Sequence, residues 1–341
     1  MLHRLKLAAL DVGAPAAGVI LLSAIFFMFN GAHPASLLGR MVIDAFGGSF
    51  SISQTLLNTV AILMCALAVT LPARIGMINV GAEGEMIAGA IGGTAMILAM
   101  PNASAWALIP LMAIAAAASG ALWGAAIGAG RAYLGVNETI ASLMLNFIAA
   151  DLLEYLINGP WEAPGSGNWP TSIAFPQAAM PPVFTIAGVQ VNSAAAIALI
   201  AIAALLFWFG YTPGGLAARF LLHNPKLARF ARISETRWTV AVMALAGTFP
   251  ALAGIYQSTL VQGRLQAGFY TGYMMAGFVA AWVARNDFAA LILTSLILGG
   301  LLSAADALQL DANLPASTGV VIEALIIVVV LLMRTPKRAT A

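Results

Sequence analysis

The chain divides into apolar stretches long enough to cross a lipid bilayer, joined by segments that hold most of its charge. A spanning helix needs about 20 mainly apolar residues. Ten stretches meet or approach that length: 12–30, 51–71, 77–100, 104–129, 137–158, 192–211, 237–257, 272–284, 288–309 and 317–333. The eighth is short, and the third is interrupted by a polar motif, NVGAEGEMIAGA (79–90). Only 8% of the 341 residues are charged against 61% apolar, too few polar groups to cover a soluble body of this size. The expected fold is an all-α integral membrane protein. It has about ten transmembrane helices, one of them interrupted, in a single domain spanning 1–341.

Basic residues orient the spans. With the N-terminus in the cytoplasm, thirteen of the fifteen Lys and Arg fall on inner segments, and only Arg40 and Arg264 fall outside. Removing one span would reverse everything after it and scatter that pattern, so both termini are expected in the cytoplasm. The opening MLHRLK and its apolar continuation read as an uncleaved first span rather than a signal peptide. Two connections exceed a turn. Residues 159–191, rich in Pro, Gly and Trp, fall outside, and 212–236, with a basic cluster, fall inside.

Much chemistry is excluded. The three lysines, Lys6, Lys226 and Lys337, follow no glycine, so the chain has no phosphate-binding P-loop. His3, His33 and His223 are isolated and give no metal-ligand spacing. No G-x-S-x-G surrounds a serine. Neither a catalytic residue nor a metal site is expected, and the chain reads as not an enzyme by itself. A net charge of +2 is too small to imply nucleic-acid binding. The single Cys65 reads as a buried, inert thiol.

Polar residues inside the spans are then the informative ones, since a charge at mid-bilayer costs roughly 2.5–3.5 kcal/mol. Asn58, Asn79, Glu83, Glu85, Asn137, Glu138, Asn146, Asp151, Glu154, Gln257, Asp306 and Glu323 are the candidates. Glycines around Glu83 permit unwound backbone, which membranes tolerate only where it is buried in protein or lines a cavity. Glu83 reads either as a brace or cap of that backbone or as a solute contact, and Glu85 as facing the interface. Asn137 and Glu138 suit the start of the fifth span as N-cap and dipole partner. Asn146 falls mid-span and needs an interhelical or pore-side partner. Asn79, Glu83 and Asn146 are the expected lining of a solute pathway. Gly120, Gly124 and Gly128, at four-residue spacing, form a close-packing face, for a helix of this chain rather than a dimer seam.

The inner connection carries the sharpest local signal. TPGG closes the sixth span, and Asn224-Pro225 is an N-cap followed by proline at the first helical position. The short helix that follows puts Lys226, Arg229 and Arg232 on one side and Leu227 and Phe230 on another. Such a helix suits a groove on another protein or an anionic lipid surface.

Five motifs in order carry a family resemblance: GMINVGAEGEM (76–86), GVNETIASLMLNFIA (135–149), NGPWEAPGSGNWP (158–170), HNPKLARFARI (223–233) and GRLQAGFYTGY (263–273). The sequence resembles permease subunits of bacterial ATP-binding-cassette (ABC) importers. It falls in the branch with branched-chain amino-acid and ribose permeases, and is most similar to nucleoside and simple-sugar permeases. The resemblance implies a multi-pass protein of the bacterial inner membrane that moves a small polar solute into the cytoplasm. It also implies partners: a second permease, different or identical, two cytoplasmic ATPases that bind ATP and Mg, and an extracytoplasmic solute-binding protein. The loop 212–236 would hold the coupling helix, with Asn224, Pro225, Lys226, Arg229 and Phe230 contacting the ATPase. Three positions depart from the family pattern. Leu222 and Arg232 stand where glycine is frequent, and Glu85 stands where glutamine is common. An ion-coupled secondary transporter is the alternative reading. It would call for inverted repeats and a mid-membrane ionisable pair, whereas most carboxylates here sit near span ends.

Overall fold

The computed structural model describes residues 34–311 except 168, with scattered helical positions in 21–28 and 321–325. Apart from those positions, the expected first and tenth spans lie outside the described residues, as do both termini. Among the described residues eleven helices make up the body. They are α1 Pro34–Phe46, α2 Ser49–Ala73, α3 Ala82–Ala99, α4 Ala105–Leu134, α5 Glu138–Ile157, α6 Ser193–Tyr211, α7 Pro213–His223, α8 Pro225–Phe230, α9 Glu235–Gln257, α10 Tyr273–Val283 and α11 Phe288–Asp311. One antiparallel hairpin, β1 Val183–Ile186 and β2 Val189–Asn192, precedes α6 and pairs Val183 with Asn192.

Each of the eight expected spans that fall within the described residues coincides with a helix. Among the described residues six helices are long and apolar enough to cross a bilayer, α9 being lengthened by a π-helical turn, Ser258–Gln262. The chain is thus a multi-pass helical membrane protein. At 11 residues α10 is about 16 Å long and cannot cross alone a hydrocarbon layer of about 30 Å. The 13-residue α1 was not anticipated, because its Arg40 and Asp44 disguise a short amphipathic helix. Nor is the third span an interrupted helix. Residues 77–81 are non-helical after Gly76 at φ 82°, and α3 starts only at Ala82.

The core follows from one helix. Every residue of α2 from Asn58 to Pro72 is buried, so α2 shows no lipid face over that stretch. It is enclosed by α1, α9, α10 and α11. A second layer joins α3, α4 and α9 at very short range. A Cβ on Gly120 would collide with the Gly247 carbonyl, one on Gly124 with the Met243 carbonyl, and one on Gly254 with the Met86 carbonyl. The small-residue stripe of α4 therefore packs within the chain, against α9.

The two ends of α2 define the two ends of the molecule. At one end the Ser53 hydroxyl accepts from Gln190 N of the hairpin at 2.8 Å. At the other Arg74 reaches the α10–α11 turn, and Gly76 lies beside Leu222 of α7. Eight of the ten described basic residues, from Arg74 to Arg285, lie at this second end, and Arg40 and Arg264 lie toward the hairpin end. Among the described residues basic charge is thus concentrated at one end.

Candidate functional site

Three places hold polar groups that the apolar body must accommodate. The first is the non-helical segment 77–81, whose backbone has no helix to satisfy it. Side chains do so instead. Asn79 Oδ1 accepts from Gly81 N at 2.8 Å, and Asn146 Oδ1 accepts from Gly84 N at 2.8 Å. Asn146 Nδ2 donates to the Val80 carbonyl at 2.8 Å, and Val80 N donates to Ser142 Oγ at 3.2 Å. Asn146 thus finds the interhelical partners that a mid-span amide needs, on α5 facing the start of α3.

Glu85 corrects the expectation of an interfacial carboxylate. It is fully buried, and its Oε1 accepts from Asn79 Nδ2 at 3.0 Å. The reason is helical period. Once α3 begins at Ala82, Glu85 shares a face with Gly89 and Gly93, and that face meets α9. The spacing was visible in the sequence. Glu83 is corrected in the opposite sense. The backbone N–H groups it was expected to brace are taken by Asn79, Asn146 and Ser142. Glu83 itself is partly buried and receives no side-chain hydrogen bond among the described residues.

The second place is a cavity of about 620 Å³ toward the hairpin end, between α2, the end of α9, the start of α10 and α11. On its wall Gln257 donates to the Tyr273 hydroxyl, which donates to Asn58 Oδ1 at 3.0 Å. All three residues are buried. Asn58 and Gln257 stood among the polar candidates of the sequence. Tyr273 did not, because a phenol in an apolar run raises no charge signal.

The third place is the connection 212–236. Thr212 caps α7, and Asn224 Oδ1 accepts from Leu227 N at 3.1 Å as the N-cap of α8, with Pro225 at its first position. The connection is thus two helices rather than one. Lys226, Leu227, Arg229 and Phe230 are exposed, Phe230 at 87%. Arg229 meets Glu235 at 3.7 Å across an exposed pair. Arg232 sits at φ 55°, a left-handed conformation that favours glycine.

Comparison with known proteins places these features in a lineage. Residues 51–331 match the model of a family described as the permease component of branched-chain amino acid transport systems. A glucose ABC transporter permease of Haloferax volcanii is 32% identical over 94% of this chain and 84% of its own length. A guanosine ABC transporter permease of Bacillus subtilis is 24% identical over 90% of this chain and 88% of its own. A nucleoside ABC transporter permease of Lactococcus lactis is 25% identical over 90% and 86%.

Proposed function

The chain belongs to the family of permease components of branched-chain amino acid transport systems, and on that premise we propose that it is the membrane subunit of an ATP-driven importer for a small polar solute. The observation that carries this reading is the pair α7–α8 at the basic end. An exposed Phe230 next to Arg229 and one turn from Lys226 is a costly thing to leave uncovered, and it suits a groove on a cytoplasmic partner. ATP and Mg belong to two partner ATPases, since the chain has no P-loop. A second permease, identical or different, completes the path, and an extracytoplasmic solute-binding protein delivers solute at the hairpin end. This orientation places both termini in the cytoplasm.

In this mechanism the ATPases close on ATP and push on Asn224, Pro225, Lys226, Arg229 and Phe230. The permease pair then switches between outward- and inward-open arrangements as rigid bodies. Asn79 and Asn146 shape the path by holding its non-helical wall, and Glu83 is the member of that trio left open to solute. Relatives named for glucose, guanosine and nucleosides favour a hydroxyl-bearing solute.

Purification of the tagged chain from native membranes tests the reading. The expected result is co-purification of a P-loop ATPase and a permease, lost when Lys226, Arg229 and Phe230 are replaced together by Ala. A chain that purifies alone and drives solute uptake in liposomes under an ion gradient would overturn it in favour of a secondary transporter.

A further inference from the structure

We propose that the cavity floored by Asn58, Gln257 and Tyr273 is a solute-binding subsite for a neutral, polyhydroxylated solute, an assignment that rests on the permease reading above. Four observations carry it. The cavity, at about 620 Å³, falls within the range of about 300–1,000 Å³ typical of small-molecule sites. Its three amide and phenol groups are buried in a membrane-embedded core, where polar groups persist only with partners. Their chain of hydrogen bonds runs one way, from Gln257 through the Tyr273 hydroxyl to Asn58 Oδ1. It leaves a donor, Asn58 Nδ2, at one end and an acceptor, Gln257 Oε1, at the other.

A donor end and an acceptor end together match a hydroxyl, which both gives and takes a hydrogen bond. Neighbouring hydroxyls on one ring satisfy both ends at once. Phe50 and Phe269, also on the lining, offer apolar faces against which a sugar ring or its CH edges pack. The chemistry also excludes. No Lys or Arg stands on the described lining to pair an α-carboxylate, and Asp44 on it disfavours anions further. An amino acid, the solute in the family's description, is therefore a poor fit. Free sugar and the ribose of a nucleoside share the required chemistry.

The test uses the whole complex in proteoliposomes, with labelled D-glucose, guanosine and leucine as probes. Uptake of glucose or guanosine, and not leucine, is expected. Tyr273→Phe, Gln257→Leu and Asn58→Ala should each raise KM at least tenfold, with smaller effects on kcat. Whichever of the two hydroxylated probes shows the KM shift identifies the source of the hydroxyls. Unchanged KM in all three variants, or leucine as the preferred solute, overturns the proposal.

A thiol reporter keeps the proposal decidable if a variant fails to assemble. Cys65 is buried and gives little background, whereas Ser303→Cys places a thiol on the cavity lining. A charged methanethiosulfonate should label it, glucose or guanosine should slow labelling, and Tyr273→Phe should abolish that protection. Labelling that neither probe slows overturns the subsite. A complex that shows protection yet no ATP-dependent uptake instead overturns the importer reading and leaves the subsite standing.

Discussion

The Arg74 guanidinium carbon lies 4.7 Å from the centroid of the Phe288 ring, while its Nη2 donates to the Asn286 carbonyl at 2.6 Å. Phe209 covers it at 5.7 Å, so one cation joins the end of α2, the end of α6 and the α10–α11 turn. A planar guanidinium can stack and donate at once, which an ammonium cannot. Arg74→Lys should lower the melting temperature of the detergent-solubilised complex, and Arg74→Leu should lower it further. A double-mutant cycle with Phe288→Leu should give a coupling of about 0.5–2 kcal/mol. Additive effects would show that the ring contact contributes nothing.

Glu85 should tolerate glutamine and little else. Its Oε1 holds Asn79 Nδ2, and the side chain lies against Gly124 and Gly247 with no room to spare. Glu85→Gln keeps the acceptor and the side-chain shape, so stability should stay within about 1 kcal/mol of wild type. Glu85→Leu leaves the buried Asn79 amide short of a partner and should cost about 1–3 kcal/mol. Fluorescence-monitored melting of the two variants separates these outcomes.

The α4–α9 contact should distinguish between glycines in one helix. At Gly120 a methyl group would strike Gly247 and Ala251, and overpacking of this kind costs about 1–3 kcal/mol. At Gly130 of the same helix a methyl group meets nothing within 4 Å. Gly130→Ala should therefore be neutral or stabilising by about 0.5–1 kcal/mol. Yield of folded protein after solubilisation gives the comparison, and equal loss in both would refute the close contact.

Arg232 should be improved by glycine. Its φ of 55° is the left-handed region, which costs an L-residue roughly 1–2 kcal/mol. Arg232→Gly relieves that cost, whereas Arg232→Ala removes the charge and keeps the strain. Thermal stability should rise for the first and not for the second. A matching rise in both would make the charge, not the backbone, responsible.

The helices were legible because lipid demands apolar runs of a set length, and caps such as Asn137 and Asn224 marked where they start. Both accept backbone N–H groups as expected. Less legible were features decided by tertiary neighbours. Whether Glu85 faces lipid headgroups or α9 depends on where α3 starts, and a five-residue delay rotated it inward. Asn146 was recognisable as a residue in need of a partner, but the partner, backbone 66 positions earlier, was not. The hairpin at 183–192 lies in a connection whose Pro and Gly content spoke only of turns. Tyr273 belongs to a polar chain whose other two members come from distant helices, so no local pattern could single it out.

The burial of α2 from Asn58 to Pro72 has a mechanical consequence. Asn58 at the cavity and Arg74 at the basic end belong to one rod, about 24 Å apart at 1.5 Å per residue. A tilt of about 5° about the Arg74 end would carry Asn58 some 2 Å sideways, about the difference between a made and a broken hydrogen bond. Pro72, whose missing N–H loosens the last turn, sits two residues from that pivot. The molecule thus contains a lever. Its pivot lies among the charges near α7, its arm ends in the polar wall of the cavity, and no lipid-facing surface along it from Asn58 to Pro72 dissipates the stroke.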